Sequence, residues 1–201
     1  SAGYDLVITR NAETIASLLE DTVVATGHIG LEQVLAMPRL RWYQLWGAGA
    51  EWLMDHPQLQ ERELVITNAS GVHAIPISEH LMAMMLALAR QIPAAVRAQD
   101  RHQWKRGDSP HPIMELAGKT VLLIGVGAIG ERTARLCSAL GMKVIGLRRD
   151  PSRPAEGVMR MVGPQDLDAV LPQADLVVLT APLTPETVHM IGAPQLRLMK
   201  A

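Results

Sequence analysis

Residues Leu122–Asp150 read LLIGVGAIGERTARLCSALGMKVIGLRRD, and this stretch decides the fold. A strand expected over Thr120–Ile124 runs directly into Gly125-Val126-Gly127-Ala128-Ile129-Gly130, and a helix expected over Gly130–Leu140 opens on the last glycine. Three glycines in that context point to a dinucleotide. Gly125 permits the tight turn, Gly127 lets the backbone approach a pyrophosphate, and Gly130 lets the helix pack closely on its strand. The N–H groups around Ala128 and Ile129 then face the phosphates.

The next strand, expected over Lys143–Leu147, ends in Arg148-Arg149-Asp150. An acid that accepts the ribose 2′-hydroxyl is expected near this point, about 20 residues after the glycines. A guanidinium cannot accept that proton, but its fork of N–H donors suits a 2′-phosphate, and Arg149 adds a second charge. The pattern favours NADP(H), with Arg148 and Arg149 as its readers. NAD(H) is possible if Asp150 turns inward to the ribose and the arginines are solvated. Arg153 is a further candidate for the phosphate pocket.

Downstream, a Pro-rich loop, a helix over Pro164–Leu171 and a strand over Asp175–Thr180 complete the first half of a doubly wound domain spanning residues 113–201. Upstream, short strands and helices alternate. Strands are expected over Asp5–Thr9, Thr22–Thr26, Leu40–Trp46 and Leu64–Thr67, and helices over Ala12–Glu20, Leu31–Met37 and Glu51–Glu61. This is a parallel sheet with crossover helices in a first domain, residues 1–75. Residues 76–112 connect the domains: a long helix from Pro76 to about Gln103, apolar nearly all round from Leu81 to Ala89 and kinked at Pro93, then the turn-rich linker Arg106–Pro112. Met82, Met84 and Met85 read as core or subunit-interface packing.

Composition narrows the function classes. The 201 residues carry a formal net charge of −1 with 48% hydrophobic residues, which disfavours both a disordered tail and a nucleic-acid-binding surface. No apolar run approaches the roughly 18 residues of a membrane span. The one cysteine, Cys137, excludes a disulfide framework, fits a reducing, cytoplasmic setting, and reads as a small buried hydrophobe. His28, His56, His102, His111 and His189 show no ligand spacing, so no metal is expected.

Three further stretches, Trp46–Glu51 (WGAGAE), Asn68–His80 (NASGVHAIPISEH) and Ala174–Thr187 (ADLVVLTAPLTPET), accompany the glycine loop, and Glu115–Thr120 (ELAGKT) leads into it. In this order they resemble the D-isomer-specific 2-hydroxyacid dehydrogenases, especially the branch of glyoxylate and hydroxypyruvate reductases. The likeness covers almost the whole chain. It implies an α/β protein of two doubly wound parallel-sheet domains, a flavodoxin-like substrate domain and a Rossmann dinucleotide-binding domain, both incomplete here. It also implies hydride transfer between a nicotinamide and a small 2-oxo or 2-hydroxy acid.

By itself, the Gly47-Ala48-Gly49 turn is either a simple strand-to-helix turn or a nest of N–H groups suited to a carboxylate. The resemblance places substrate binding on Ala48 and Gly49. Glu51 stands where the family often has Asp. Similarity also sets Val72 and Ile77 near the nicotinamide and Glu79 and His80 at the start of the long helix, as cap and packing. His73 is the better-placed histidine for the active site. At the carboxyl edge of the sheet, Thr180, Ala181 and Pro182 suit an adenine wall, and Thr187 resembles a family threonine near the cofactor phosphates.

The family's catalytic arginine, glutamate and histidine are expected beyond Ala201, and a further strand and helix before Asp5. No catalytic residue is therefore assigned within this chain, and the 201 residues alone are expected to be inactive. A homodimer through the helix near residues 78–103 is the expected assembly. The alternative function is a cofactor-binding regulatory protein of the corepressor type, which would expose an apolar cleft in its first domain.

Overall fold

The computed structural model describes residue 3 and residues 5–49, 51–59, 61–104 and 112–200. They form two compact units, residues 1–70 and 71–201.

In the first unit, β1 (Val24–Thr26), β2 (Trp42–Gln44) and β3 (Val65–Thr67) form a parallel sheet in that order, with Ala25, Tyr43 and Ile66 in register. Helix α1 (Ala12–Leu18) leads into β1, and α2 (Leu31–Leu35) supplies the crossover from β1 to β2. Asn11 caps α1, accepting from the Thr14 N–H at 2.9 Å. The core gathers Val34, Met37, Leu40, Tyr43, Leu45 and Leu59. Tyr43 is buried, and its hydroxyl donates to the Gly27 carbonyl at 3.0 Å while accepting from the Ile29 N–H at 3.2 Å.

Two expectations for this unit are corrected. Asp5–Thr9 is not a strand: no ladder reaches it among the described residues, and Leu6 and Ile8 are 84% and 89% exposed. An apolar run becomes a strand only beside a partner that takes its backbone groups. The helix expected over Glu51–Glu61 is instead two 3₁₀ segments, Glu51–Asp55 and Pro57–Leu59, because Pro57 removes the N–H that would continue the helix.

The second unit opens with α3 (Ala74–Ala89) and α4 (Ile92–Asp100), which meet at a bend of 66°. The break falls at Gln91, in the left-handed region with φ 57°, just before the expected kink at Pro93. A continuous helix would press the Pro93 ring against the Ala89 carbonyl; as second residue of α4, Pro93 needs no N–H partner. Among the described residues no single helix is long and apolar enough to cross a membrane, although α3 and α4 together reach that length as a bent pair. The expected linker Arg106–Pro112 lies outside the described residues except for Pro112.

The sheet of this unit holds β4 (Thr120–Ile124), β5 (Lys143–Leu147), β6 (Arg160–Val162) and β7 (Leu176–Leu179), all parallel and in the order β6-β5-β4-β7. Helix α5 (Ala128–Ala139) joins β4 to β5. The chain thus steps outward twice from β4 and then returns to its other side, which puts the reversal of strand order between β4 and β7. Neighbouring residues of β4 face opposite ways. Val121 and Leu123 pack with Met82, Met85 and Ala89 of α3 and Ala134 and Cys137 of α5, while Leu122 and Ile124 pack with Leu167, Val170 and Leu171. Those three belong to α6 (Leu167–Val170) and its flanking 3₁₀ turns, where one helix over Pro164–Leu171 was expected. A short helix α7 (Ala193–Leu198) follows β7.

Candidate dinucleotide site and glycine turn

Gly125 ends β4 with φ +97°, a conformation open to few residues besides glycine. A Cβ there would stand 2.4 Å from the Ala181 nitrogen, and one on Gly130 would stand 2.2 Å from the Gly125 carbonyl oxygen. Both glycines let backbone pass backbone. At Gly127 a Cβ would meet nothing within 4 Å, so this glycine borders open space. Gly127 also precedes α5 without any side-chain cap, leaving the N–H groups of the first turn, including those of Ala128 and Ile129, without intrahelical acceptors. Space beside Gly127 and uncapped donors at a helix N-terminus fit a pyrophosphate.

Thr180 and Ala181 follow β7 and border the same loop. The Thr180 hydroxyl donates to the Gly125 carbonyl at 2.7 Å, and its N–H donates to Ile124 at 2.8 Å. Pro182 is exposed. The Thr187 hydroxyl donates to the Pro182 carbonyl at 2.7 Å and accepts from the Thr184 N–H at 2.8 Å. Within the protein it holds the 182–187 loop closed.

At the end of β5, the Arg148 side chain is 14% exposed; its guanidinium donates to the Arg153 carbonyl at 3.3 Å and lies 3.9 Å from the Glu131 carboxylate. Arg149 is exposed. Asp150 is exposed too, and it accepts from the Ser152 hydroxyl at 2.6 Å and the Ser152 N–H at 3.1 Å. Those hydrogen bonds, with weaker help from the charges of Arg153 and Arg148, hold its carboxyl below the usual range. Across the sheet edge, the Thr184 hydroxyl and then its own N–H hold the Glu186 carboxyl low, with a smaller contribution from the Arg149 charge.

Val72 precedes α3 and is 67% exposed, and Ile77 in its first turns is 36% exposed. His73 is the residue just before α3. Glu79 and His80 do not start the helix as expected, because α3 begins five residues earlier, at Ala74. Glu79 instead lies 3.9 Å from Arg132 of α5, and His80 is exposed rather than packed. Cys137 is buried 3.8 Å from the Met82 sulfur, and burial pushes its thiol up to about 11. It is a core residue and no nucleophile at neutral pH.

In the first unit, Ala48 and Gly49 lie exposed in a turn after β2. The Ala48 carbonyl accepts from the Asn68 amide at 2.7 Å and the Gly47 carbonyl from the Ala69 N–H at 3.1 Å. Their carbonyls are thereby turned to the protein, and no acceptor takes the N–H of Ala48 or Gly49 among the described residues. The Glu51 carboxylate lies close, 2.9 Å from where a Gly49 Cβ would stand. The next residue, Ala50, lies outside the described residues.

Two contacts were not anticipated from sequence: Thr180 to Gly125, and Arg148 to Glu131. Glu131 carried a visible signal, an acid in the first turn of a helix, but that placement alone suits the helix dipole and names no partner.

Residues 82–201 match the family described as D-isomer specific 2-hydroxyacid dehydrogenase, NAD binding domain. Over 193 residues, 95% of this chain, it is 30% identical to a glyoxylate reductase of Thermofilum pendens, of which the match covers 55%. Among solved structures, a D-isomer specific 2-hydroxyacid dehydrogenase family protein from Aeromonas salmonicida superposes with a TM-score of 0.84 at 28% identity, covering 96% of this chain and 60% of that one. An NADPH-dependent glyoxylate/hydroxypyruvate reductase from Sinorhizobium meliloti, solved with NADP and sulfate, superposes with a TM-score of 0.77 at 28% identity, covering 90% and 56%. The chain spans about half the length of the glyoxylate reductases it matches.

Proposed function

The chain belongs to the D-isomer specific 2-hydroxyacid dehydrogenase family, and from that premise we propose that the intact protein is an NADPH-preferring reductase of a small 2-oxo acid, glyoxylate or hydroxypyruvate, yielding its D-2-hydroxy acid. The observation that carries the reading is an open Gly127 at the head of α5 combined with an arginine, in place of an acid, at the end of β5. Bound NADPH supplies the hydride. The residues of this chain bind and orient. Gly125, Gly127, Ala128, Ile129 and Gly130 hold the pyrophosphate, and Arg148 and Arg149 hold the 2′-phosphate. Asp150 is engaged by Ser152, which supports the arginine reading over a ribose-binding acid.

Thr180, Ala181 and Pro182 lie along the adenine, and Thr187 keeps the loop beside them closed toward the phosphates. Val72 and Ile77 offer an apolar surface to the nicotinamide. The N–H groups of Ala48 and Gly49, which meet no acceptor among the described residues, receive the substrate carboxylate. The relatives reported above are reductases and dehydrogenases, so the regulatory alternative is not favoured. The same proposal includes a cytoplasmic setting and a homodimer through residues 78–103, where Met84, Leu86, Leu88, Ile92 and Val96 are exposed.

The test is reduction of glyoxylate and hydroxypyruvate by the intact protein with NADPH and with NADH, repeated in Arg148→Ala. Consumption of either acid with a higher kcat/KM for NADPH, lost in the variant, is the expected result. Equal or better use of NADH overturns the cofactor reading, and no turnover of either acid overturns the substrate reading. A monomer by light scattering at micromolar concentration overturns the dimer.

A further inference from the structure

We infer that Glu131 sets how strongly the site discriminates NADPH from NADH, acting as an internal counter-anion to Arg148 that a 2′-phosphate must outcompete. The inference rests on the NADPH reading above and assigns a specificity role to a residue that the glycine motif does not include.

Arg148 stands at the end of β5, the position from which a side chain reaches the adenosine ribose. Its side chain is only 14% exposed, and among the described residues its guanidinium meets the Arg153 carbonyl at 3.3 Å and the Glu131 carboxylate at 3.9 Å. Its charge thus has a counter-charge within the protein. Arg149, next in sequence, is exposed and makes no hydrogen bond or ion pair among the described residues. Asp150 is held chiefly by Ser152 and feels the Arg148 charge only weakly, and the Glu186 carboxyl feels that of Arg149. Among the described residues Glu131 is the acid within ion-pair distance of the Arg148 guanidinium.

Glu131 reaches this corner from the helix that opens at the phosphate-binding loop, since it is the fourth residue of α5. The first turn of a helix favours a carboxylate there, and it favours a phosphate for the same reason. A 2′-phosphate drawn to Arg148 enters the field of Glu131 as a like charge, so part of the attraction is cancelled by repulsion and part of the guanidinium is already engaged. NADH carries a hydroxyl at that point and meets neither effect. Glu131 thus lowers NADPH affinity selectively and holds the corner open to both cofactors.

The experiment is a titration of NADPH and NADH into the intact protein, followed by nicotinamide fluorescence, in wild type, Glu131→Gln, Arg148→Ala and the double variant. Glutamine keeps the shape of the side chain and removes its charge, and thermal melting of each apo variant checks that the fold is retained. The expected result is an NADPH Kd about tenfold lower in Glu131→Gln, the order expected when one like charge leaves a partly exposed site. The NADH Kd stays within about twofold, and the gain vanishes in the double variant because it acts through Arg148. An NADPH Kd that rises or does not move in Glu131→Gln, while Arg148→Ala still weakens NADPH, overturns this inference alone. If wild type prefers NADH and Arg148→Ala changes neither affinity, the NADPH reading fails and takes this inference with it.

Discussion

The hydroxyl of Thr180 donates to the carbonyl of Gly125 at 2.7 Å, tying the loop that leaves β7 to the glycine loop that leaves β4. These two strand ends flank the reversal of strand order, where doubly wound sheets bind their ligands. With the bond from the Thr180 N–H to the Ile124 carbonyl at 2.8 Å, this hydrogen bond ties the floor of the site together.

Replacing Thr180 by valine keeps the branched shape and removes the donor. The expected cost is about 1 kcal/mol of stability, with an NADPH Kd raised severalfold because the glycine loop is less firmly held. Urea unfolding and a fluorescence titration measure the two effects. An unchanged Kd at reduced stability would show that the bond serves the fold alone.

How much of this was legible in the sequence depended on whether local residues or distant partners decided the outcome. The bounds expected for β4 and β5 agree with the structure, because each is an apolar run delimited by its own neighbours, a glycine or a charged pair. Strand β6 was missed. Arg160-Met161-Val162 has no alternation to read and exists because Ile145–Leu147 offers an edge to pair with. The converse error fell on Asp5–Thr9, whose apolar residues lack such an edge among the described residues. The Arg148–Glu131 approach was equally hidden, since no spacing rule connects the end of a strand with a side chain 17 positions earlier on a helix. The glycine loop was legible for the opposite reason: its backbone demands are met within six residues.

Tyr43 allows a parallel test in the first unit. Its buried hydroxyl bridges the backbone of Gly27 and Ile29, so phenylalanine leaves a donor and an acceptor without partners in the core. Tyr43→Phe should lower stability by about 1–3 kcal/mol. A change below about 0.5 kcal/mol in denaturant unfolding would mean that water replaces the hydroxyl.

Cys137 gives the molecule a pH dependence with a definite sign. Burial raises its thiol from 9.0 to about 11 in the folded protein, so the folded state keeps the proton over a range in which the unfolded chain releases it. The contribution is complete below about pH 9 and is lost as pH rises toward 11. Comparing thermal melting of the protein with that of Cys137→Ala between pH 8 and roughly 11 should show wild type losing stability faster as pH rises. At pH 8 the native thiol should also resist iodoacetamide, and rapid labelling without unfolding would contradict its burial.

The sharpest prediction separates two glycines of one motif. At Gly130 a Cβ would stand 2.2 Å from the Gly125 carbonyl oxygen, a backbone atom that can yield only if β4 and α5 move apart. Gly130→Ala should therefore destabilise by about 3 kcal/mol, with cofactor binding lost as a consequence of the damaged fold. At Gly127 the added methyl meets no protein atom within 4 Å, and its φ of −97° is open to alanine. The stability cost there is confined to a poorer helix cap, within about 1 kcal/mol. If the space beside Gly127 is where the pyrophosphate lies, the methyl fills it, and the NADPH Kd rises by about tenfold or more in a protein that melts almost normally. Measuring melting temperature and Kd for both variants places each glycine on one axis or the other. A Gly127→Ala protein that binds NADPH as wild type would move the pyrophosphate away from this loop and remove the main support for the cofactor site.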